Sequence, residues 1–277
     1  AGLGRAALVI ANGAEPGDGA VGDRALGALR EAGVRGVFVR QRGEPTVGDV
    51  DRAVEAARAE ACDLVVGLGG GSAIDAAKAA AGLLTNGGSA LDYMEVIGAG
   101  RKITLPAAPW IAVPTTAGTG AEVTRNAVVA CPERHFKASI RGEQLLARVA
   151  LVDPELGRGV PRDVAARAGL DALCQLVESY TSAGAQPLTD ALARDGLARA
   201  ARSLRRAVAD AADLDAREDM ALASLLSGMT LTGAGLGAVH GFAAPLGANL
   251  PVPHGVVCGA LLPHVLAANV RALRAGP

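Results

Sequence analysis

The stretch Gly67-Leu-Gly-Gly-Gly-Ser-Ala-Ile-Asp-Ala-Ala-Lys78 decides the fold of this chain. It follows the apolar run Leu64-Val65-Val66, so the pattern predicts a buried strand that turns at the glycines and opens a helix at about Ser72. Glycines let backbone N–H groups approach an anion, and a helix N-terminus carries a partial positive charge. The stretch therefore predicts a phosphate cradle. The alternative is a tight strand-to-helix turn that binds nothing.

The residues before this stretch alternate between strand and helix patterns. The apolar periodicity predicts a strand over Arg5–Ala11, a helix over 20–32, a strand over Val34–Val39 and a helix over Val47–Ala61. Thr46 is expected to cap the last of these helices. Strands that alternate with helices in this way are typical of a parallel α/β sheet.

A second polar turn follows another strand. The predicted strand Trp110–Pro114 runs directly into Thr115-Thr-Ala-Gly-Thr-Gly-Ala-Glu122. Ligands of open α/β sheets collect at the carboxyl ends of the strands. Two glycine-rich turns in one half of the chain therefore predict one extended ligand that is held from two sides.

The pattern changes to almost continuous helix after residue 161. Three short strands are predicted at 127–130, 137–140 and 147–152, and helices at 162–182, 188–209, 215–235 and 256–274. We therefore expect an α/β dinucleotide-binding domain over residues 1–157 and an all-helical domain over residues 158–277. The active site is expected in the cleft between them.

Composition restricts the classes of partner. The chain has 277 residues, of which half are hydrophobic and 2% aromatic, and its net charge is −1. This balance gives no electrostatic reason to expect nucleic acid or an anionic membrane, and it favours a small-molecule substrate. The four cysteines contain no CxxC pair, so reduced thiols and a cytoplasmic location are expected.

No secretory signal is visible, and the most apolar long segment is the predicted helix from Val256 to about Leu273. Pro263, His264, Asn269 and Arg271 interrupt it, so we expect a core helix rather than a membrane span.

Four blocks of the chain resemble the iron-containing (group III) alcohol dehydrogenases, a family that includes glycerol dehydrogenase and maleylacetate reductase. The blocks are GGGSAIDAAK at 69–78, PTTAGTGAEVTRNAVV at 114–129, GLDALCQLVESY at 169–180 and GAVHGFAAPLGANLPVPHGVVCGALLPHV at 237–265. The resemblance implies a dehydroquinate-synthase-like architecture, with an α/β nucleotide-binding domain followed by an all-α domain. It also implies NAD(P)-dependent hydride transfer.

The resemblance assigns cofactor-binding residues in the first half of the chain. Gly70, Gly71 and Ser72 would wrap the pyrophosphate, and Asp75 belongs to the same block. The nicotinamide half would be held by Thr115, Thr116 and Thr119. Lys137 would be the nucleotide-side lysine, although an ordinary exposed strand lysine is the alternative interpretation.

Asn12 stands where many relatives carry an Asp for the adenosine ribose. A carboxylate would repel a 2′-phosphate, whereas a neutral amide does not. NADP is therefore an alternative to NAD. Asn12-Gly13 is also typical of a simple turn.

The family's metal site is only partly matched. Asp171, His240 and His254 match the Asp and two of the three His ligands, with the two histidines separated by a Gly/Pro-rich loop. The remaining His would lie four residues after Asp171, where this chain has Gln175. An amide oxygen is a weaker ligand for iron or zinc, so a divalent metal depends on Gln175 serving as a ligand. Ala244 replaces a further His associated with the catalytic pocket.

The resemblance leaves more than one mechanism open. A bound cation would polarise a small alcohol or carbonyl compound, and His240 or His254 could instead donate a hydrogen bond to the developing alkoxide. A metal-free enzyme like maleylacetate reductase is one alternative. A non-redox lyase like dehydroquinate synthase and a nucleotide-binding protein without turnover are others.

Two further expectations come from the family. Its members usually continue at both ends, so we expect the helical domain to be incomplete at its C-terminus. They are commonly dimers or larger, so a homo-oligomer is expected.

Overall fold

The computed structural model describes residues 2–13, 17, 21–250 and 252–275. Their contacts divide into two units. One comprises the chain up to Thr115 together with Ala121–Leu156, and the other comprises Thr116–Gly120 together with the chain from Gly157. The first is α/β and the second is helical, so the predicted fold class is confirmed.

The strands of the first unit are β1 (Ala6–Ala11), β2 (Arg35–Arg40), β3 (Leu64–Gly69), β4 (Trp110–Pro114), β5 (Asn126–Cys131), β6 (Phe136–Arg141) and β7 (Val149–Ala150). Five of them form a parallel sheet with strand order β2-β1-β3-β4-β7. The apolar runs β1 and β3 are buried throughout because both faces of these central strands pack in apolar clusters. The segment predicted as a strand over 147–152 pairs only through β7.

The helices of this unit are α1 (Val21–Glu31), α2 (Val47–Ala59), α3 (Gly71–Asn86) and α4 (Ala90–Tyr93). The predicted cap of α2 is confirmed: Thr46 Oγ1 accepts a hydrogen bond from the Asp49 N–H at 3.1 Å. The carboxylate of Asp49 accepts from the Thr46 N–H at 3.0 Å, which completes a capping box. The single turn α4 was not predicted from the sequence.

The predicted strands β5 and β6 form a separate antiparallel hairpin rather than extending the parallel sheet. The buried Lys78 of α3 holds the chain that leads into this hairpin. Its Nζ donates to Ala121 O at 2.8 Å, to Thr124 Oγ1 at 2.7 Å and to Asn126 O at 2.7 Å. These bonds compensate for the burial of an ammonium group, which otherwise costs several kcal/mol.

The second unit contains α5 (Arg162–Tyr180), α6 (Pro187–Ala209), α7 (Leu214–Ala234), α8 (Ala238–Asn249) and α9 (His254–Ala275). Helices α5, α6 and α7 pack around small residues such as Ala193, Ala200 and Ala223. The predicted loop between His240 and His254 is wrong, because α8 occupies most of it. The Glu178 carboxylate stabilises the first turn of α8 from outside, and the helix buries Val239 and Ala243, so tertiary contacts override the glycines and Pro245.

The prediction of α9 as a core helix holds only for its first turns. Gly255, Val257 and Cys258 are buried, whereas the residues from 267 to 275 are exposed. Among the helices that the structure describes, α9 is long and apolar enough to cross a membrane. In its most apolar 18-residue segment, 17% of the residues are buried.

Candidate functional site

The glycine turn joins β3 to α3 as the sequence predicts. Gly69 ends β3 with φ at +148°, a conformation that an L side chain rarely adopts. Asn12, at the end of β1, accepts a hydrogen bond from the Gly70 N–H through Oδ1 at 2.9 Å. Its Nδ2 donates to Gln41 O at 3.1 Å. Asn12 thus joins the ends of β1 and β2 to the N-terminus of α3.

This arrangement decides which backbone donors remain for an anion. The N–H of Gly70 is already used by Asn12, whereas Gly71 and Ser72 begin α3, where the first N–H groups have no acceptor within the helix. The Thr115 N–H donates to Gly69 O at 2.9 Å, so the second polar turn starts beside the first.

Two other predicted cofactor residues have protein partners. Asp75 is buried, accepts from the Val128 N–H at 3.1 Å and lies 3.5 Å from Lys78 Nζ. Lys137 Nζ pairs with Glu44 Oε1 at 2.5 Å. Their roles toward a nucleotide stay predictions.

The polar segment Thr116–Gly120 packs with the helical unit. A Cβ at Gly118 would overlap with Ala168 of α5, and one at Gly120, where φ is +61°, would overlap with the backbone of α7 at Ser224 and Gly228. Only glycine allows this close approach. The segment that carries Thr116 and Thr119, which were predicted to hold the nicotinamide half, is therefore held against α5 and α7 by its glycines.

A cluster of possible metal ligands lies in the helical unit. One donor atom from each of Asp171, His240, His254 and Cys258 lies within 4.8 Å of the other three. Asp171 Oδ1 is 3.2 Å from His240 Nε2 and 3.6 Å from His254 Nε2. Cys258 Sγ is 3.8 Å from His240 Nε2 and 3.5 Å from His254 Nε2.

Three helices bring these side chains together. Asp171 lies on α5 and His240 in the first turn of α8, while His254 and Cys258 are one turn apart on α9. A Cβ at Gly255 would overlap with the carbonyl oxygen of Arg167, so this glycine lets α9 lie directly against α5. The side chains of Asp171 and His240 are 6% and 13% exposed and that of His254 is 35% exposed, which leaves the cluster most open at His254.

Glu178, two turns after Asp171 on α5, orients His240. Its Oε2 lies 2.5 Å from His240 Nδ1, and its Oε1 accepts from the Val239 N–H at 2.7 Å. A carboxylate on Nδ1 holds the ring so that Nε2 faces the cluster, which is the usual support for a histidine ligand.

Gln175, the predicted replacement for a histidine ligand, turns its amide nitrogen toward the cluster. Its Nε2 donates to Asp171 Oδ2 at 3.4 Å, and its Oε1 lies 3.0 Å from Ser227 Oγ. The same hydroxyl is 2.7 Å from Ser224 O and 3.4 Å from Gly118 O. Gln175 therefore connects Asp171 to α7 and reaches the neighbourhood of the Thr116–Gly120 segment.

The electrostatics of the cluster favour cations. Burial opposes the protonation of His240, but its hydrogen bonds with Asp171, Cys258 and Glu178 prevail and raise its pKa to about 11. Burial likewise opposes the charged form of Asp171, yet the bonds to His240 keep the pKa of this carboxyl below its usual value. A proton on His240 takes the position that a metal ion would fill, so metal binding must release it.

The geometry and chemistry of the cluster fit a metal ion. Around tetrahedral Zn²⁺, with Zn–N of about 2.0 Å and Zn–S of about 2.3 Å, oxygen and nitrogen ligands lie about 3.3 Å apart and sulfur lies about 3.5 Å from nitrogen. In the cluster the two oxygen–nitrogen separations from Asp171 are 3.2 and 3.6 Å, the two sulfur–nitrogen separations from Cys258 are 3.5 and 3.8 Å, and all four donor atoms lie within 4.8 Å of one another. Carboxylate, imidazole and thiolate together suit zinc or a first-row transition ion.

Sequence reasoning missed Cys258 and Glu178. Both carried a usable signal, because Cys258 is four residues after His254 and Glu178 is seven after Asp171, so each pair shares a helix face. The prediction placed a loop between His240 and His254, which hid the proximity of Glu178 to the helical turn that carries His240.

The chain belongs to a class of two-unit proteins. Its first unit is a parallel α/β fold with a glycine-rich turn, and its second unit is helical and holds a cluster of possible metal ligands. The comparisons with known proteins give its family. The family model of the iron-containing alcohol dehydrogenases matches residues 1–154, and the model of the C-terminal part of the Fe-containing alcohol dehydrogenase family matches residues 165–275. The chain belongs to the iron-containing alcohol dehydrogenase family, as the sequence motifs indicated.

Individual relatives agree. The chain is 42% identical over 231 residues to alcohol dehydrogenase 4 of Schizosaccharomyces pombe, covering 83% of this chain and 54% of that protein. It is 41% identical to the 1,3-propanediol dehydrogenase of Klebsiella pneumoniae, covering 91% of this chain and 64% of that protein. It thus spans about half to two thirds of the length of these relatives.

Solved structures share the fold. A 1,3-propanediol oxidoreductase superposes with a TM-score of 0.90 at 40% identity, over 96% of this chain and 69% of that one. The sulfoacetaldehyde reductase of Bifidobacterium kashiwanohense, solved in complex with NAD⁺, gives 0.87 at 33% identity, over 97% and 70%.

Proposed function

We propose that this protein is an NAD(P)-dependent oxidoreductase that transfers a hydride between a nicotinamide cofactor and a small alcohol, aldehyde or keto compound. The observation that carries the proposal is the cluster of Asp171, His240, His254 and Cys258 in a chain of this family. A lyase or a protein without turnover has no comparable support, since the relatives named above are dehydrogenases and reductases.

The glycine turn supplies the cofactor site of this proposal. The N–H groups of Gly71 and Ser72 at the start of α3 would bind the pyrophosphate, helped by the partial positive charge of the helix N-terminus. Thr115, Thr116 and Thr119 would hold the nicotinamide half. The NAD⁺ bound to the sulfoacetaldehyde reductase supports a dinucleotide in this fold. Because Asn12 carries no charge, the site accepts NADP as well as NAD.

The donor cluster supplies the catalytic centre. Asp171, His240, His254 and Cys258 would hold a divalent cation, iron or zinc, which would supply Lewis-acid chemistry toward the substrate oxygen. Asp171 contributes negative charge, Glu178 fixes the ring of His240, and the more exposed His254 marks the side open to substrate. Reacting groups held in this way meet in a fixed orientation, which is the main contribution of a protein to hydride transfer.

The location, the partners and the assembly of the protein are inferred from separate features. All four cysteines are free, which suits a reducing, cytoplasmic location. The near-neutral net charge suits a small-molecule substrate rather than nucleic acid. The homo-oligomer, most simply a dimer, rests on the family resemblance alone.

The test is a steady-state assay of the purified protein. Ethanol, 1,3-propanediol, choline, sulfoacetaldehyde and maleylacetate are offered with NAD(H) and NADP(H), before chelation, after chelation and after return of Zn²⁺ or Fe²⁺. We expect turnover that chelation removes and the metal restores. Cofactor binding without turnover on any substrate would contradict the proposed activity, and full activity in metal-free protein would contradict the role of the metal.

A further inference from the structure

The fourth donor of the metal cluster is a thiol where the family resemblance predicted an amide. Cys258 Sγ approaches both His254 Nε2 and His240 Nε2, at 3.5 and 3.8 Å. The side chain is completely buried, so solvent does not compete for the sulfur. Its position on α9, one turn after His254, fixes the two side chains on the same face of the helix.

Gln175 does not present a ligand atom in this arrangement. Its Oε1 is directed to Ser227 Oγ at 3.0 Å, and the group that faces Asp171 is the amide nitrogen. An amide N–H is a donor and cannot bind a cation. Gln175 thus supports Asp171, and the position of the missing imidazole needs another ligand.

From these contacts we infer that Cys258, as a thiolate, is the fourth protein ligand of the metal centre, which is an Asp-His-His-Cys site that prefers Zn²⁺ to Fe²⁺. The inference rests on the proposed metal-dependent function and adds the identity of a ligand that the family pattern lacks. A soft thiolate ligand favours zinc more strongly than a harder oxygen ligand, such as an amide, does.

When the site forms, the metal ion replaces the proton on the sulfur of Cys258. The Cys258 S–H bond breaks as the metal–sulfur bond forms, and the proton passes to solvent. No electron is transferred, so no oxidant or reductant is needed. The negative charges of Asp171 and the thiolate together balance the divalent cation.

The test uses Co²⁺ as a spectroscopic probe of the metal-stripped, full 277-residue chain. Thiolate-bound Co²⁺ absorbs in the near ultraviolet by sulfur-to-metal charge transfer, and sites with only N and O ligands lack this band. We expect the band to rise to one equivalent of Co²⁺ in the wild-type protein. Its absence in the Co²⁺-loaded wild-type protein would overturn the inference, as would failure to bind either Co²⁺ or Zn²⁺.

Two variants locate the sulfur. Cys258→Ser should remove the band and weaken Zn²⁺ binding. Loss of a residue that only supports a metal ligand weakens metal binding about 10- to 100-fold, and the loss of Zn²⁺ affinity in this variant should exceed that range. Cys174→Ser is the matched control, because Cys174 is also a buried thiol beside the cluster but lies outside the donor set. The band should persist in this control. A band unchanged in Cys258→Ser would overturn the inference.

A measurement on the wild-type protein alone guards against a variant that does not fold. Zn²⁺ should protect Cys258 from alkylation by iodoacetamide in mild urea, while the labelling of Cys62 stays unchanged. Equal labelling of Cys258 with and without Zn²⁺ would contradict the ligand role. Anaerobic competition with equal Zn²⁺ and Fe²⁺ should load zinc, and iron in the loaded protein would overturn the stated preference.

The ligand assignment and the proposed activity can fail separately. A charge-transfer band in a protein without dehydrogenase turnover would keep Cys258 as a ligand and reject the activity. Metal-dependent turnover without the band would keep the activity and reject Cys258 as a ligand. If the wild-type protein lacks the band and Gln175→Ala loses Co²⁺ binding, Gln175 is the ligand instead.

Discussion

Glu178 serves two neighbours in the helical unit with one carboxylate. It accepts from the backbone N–H of Val239 at the start of α8, and it lies against the Nδ1 of His240 in the same turn. A carboxylate at a helix N-terminus is favourable because of the partial positive charge there. The residue that caps α8 is therefore also the residue that orients His240, one of the candidate metal ligands.

Glu178→Gln tests this positioning role. The amide keeps the size of the side chain but loses the charge that favours the Nδ1–H tautomer of His240. We expect Zn²⁺ affinity to fall about 10- to 100-fold, as measured by competition with a chromogenic chelator. Glu218→Gln, on the exposed face of α7, is the control and should leave the affinity unchanged. Equal affinities in both variants would show that Glu178 only caps the helix.

Asn12→Asp tests the choice of cofactor. The carboxylate can still accept from the Gly70 N–H, but it would repel a 2′-phosphate, and one unit-charge repulsion near 4 Å is worth about 1 kcal/mol in water. We therefore expect the Kd of NADPH to rise about fivefold to tenfold relative to that of NADH, measured by fluorescence titration. Asn12→Ser adds no charge and should not change the ratio. An equal effect on both cofactors would place the 2′-phosphate away from Asn12.

At the scale of elements, the contact between α5 and α9 depends on glycine. Gly255 lies against the Arg167 carbonyl, with His254 and Cys258 on either side of it along α9. Any side chain at this position separates the two helices. The metal donors on α9 would then move away from Asp171 on α5.

Gly255→Ala and Gly241→Ala form a matched pair. Both glycines are helical, but a Cβ at Gly255 overlaps with backbone, and one at Gly241 has open space. We expect Gly255→Ala to destabilise the protein by about 1–3 kcal/mol and to weaken Zn²⁺ binding. Gly241→Ala should be neutral or more stable by about 0.5–1 kcal/mol. Thermal unfolding with and without Zn²⁺ measures both, and similar shifts in the two variants would contradict the close approach.

The carboxylate of Asp219 on α7 joins this helix to α6, where it bonds with two arginines and a serine. Asp219 accepts from Arg202 Nε at 2.7 Å, from Ser203 Oγ at 2.6 Å and from Arg199 Nη1 at 3.0 Å. The hydrogen bond from Arg202, more than those from its neighbours, lowers the pKa of Asp219 to about 2. Since the usual pKa of Asp is about 3.9, the unfolded chain takes up this proton at a higher pH than the folded one.

The stabilisation by Asp219 is therefore complete above about pH 4 and is lost as the pH falls through about 2. We expect Asp219→Asn to lower the free energy of unfolding by about 1 kcal/mol at pH 7, with a smaller difference from wild type at pH 3. Urea unfolding at both pH values measures this, with Glu218→Gln as the control. A difference that is the same at the two pH values would exclude an ionic contribution.

At the scale of the whole molecule, the two candidate sites lie mainly in different units. The metal donors belong to the helical unit, and the glycine turn belongs to the α/β unit. A ligand stabilises the conformation that binds it, by about 2.7 kcal/mol at a concentration of 100 times its Kd. Each ligand should therefore slow local opening first in the unit that holds its donors.

Hydrogen exchange followed by mass spectrometry tests this separation. Zn²⁺ should protect the amides of α5, α8 and the first turns of α9, and it should leave β1 and β3 unchanged. NAD⁺ should protect the turn at Gly69–Ser72. Protection of both units by Zn²⁺ alone would show that they open as one cooperative body, and no protection near His240 would contradict the metal site.

The strands, most of the helices and the glycine turn were predictable because their signals are local. The period of apolar residues marks β1, β3 and the helices α5, α6, α7 and α9, and the glycines of 67–71 mark the turn at which β3 ends. The motifs alone also indicated the family and the residues Asp171, His240 and His254. These features depend on residues that are adjacent in the sequence or one helical turn apart.

Helix α8 and the identity of the fourth metal donor depend on the tertiary structure. Glu178, about 60 residues earlier in the chain than α8, caps that helix, and Gly255 allows α9 to bring Cys258 toward Asp171. The spacing of Cys258 from His254 and of Glu178 from Asp171 indicates that each pair shares a helix face, but it does not show that the three helices bring these faces together. The sequence by itself determined the fold and the family, and it predicted Asp171, His240 and His254, which the structure brings together in the candidate cluster, because periodicity and motifs are local. The packing of α5, α8 and α9 decided that the thiol of Cys258 joins the candidate cluster and that Gln175 turns its amide nitrogen, rather than its oxygen, toward Asp171, because long-range contacts set both positions.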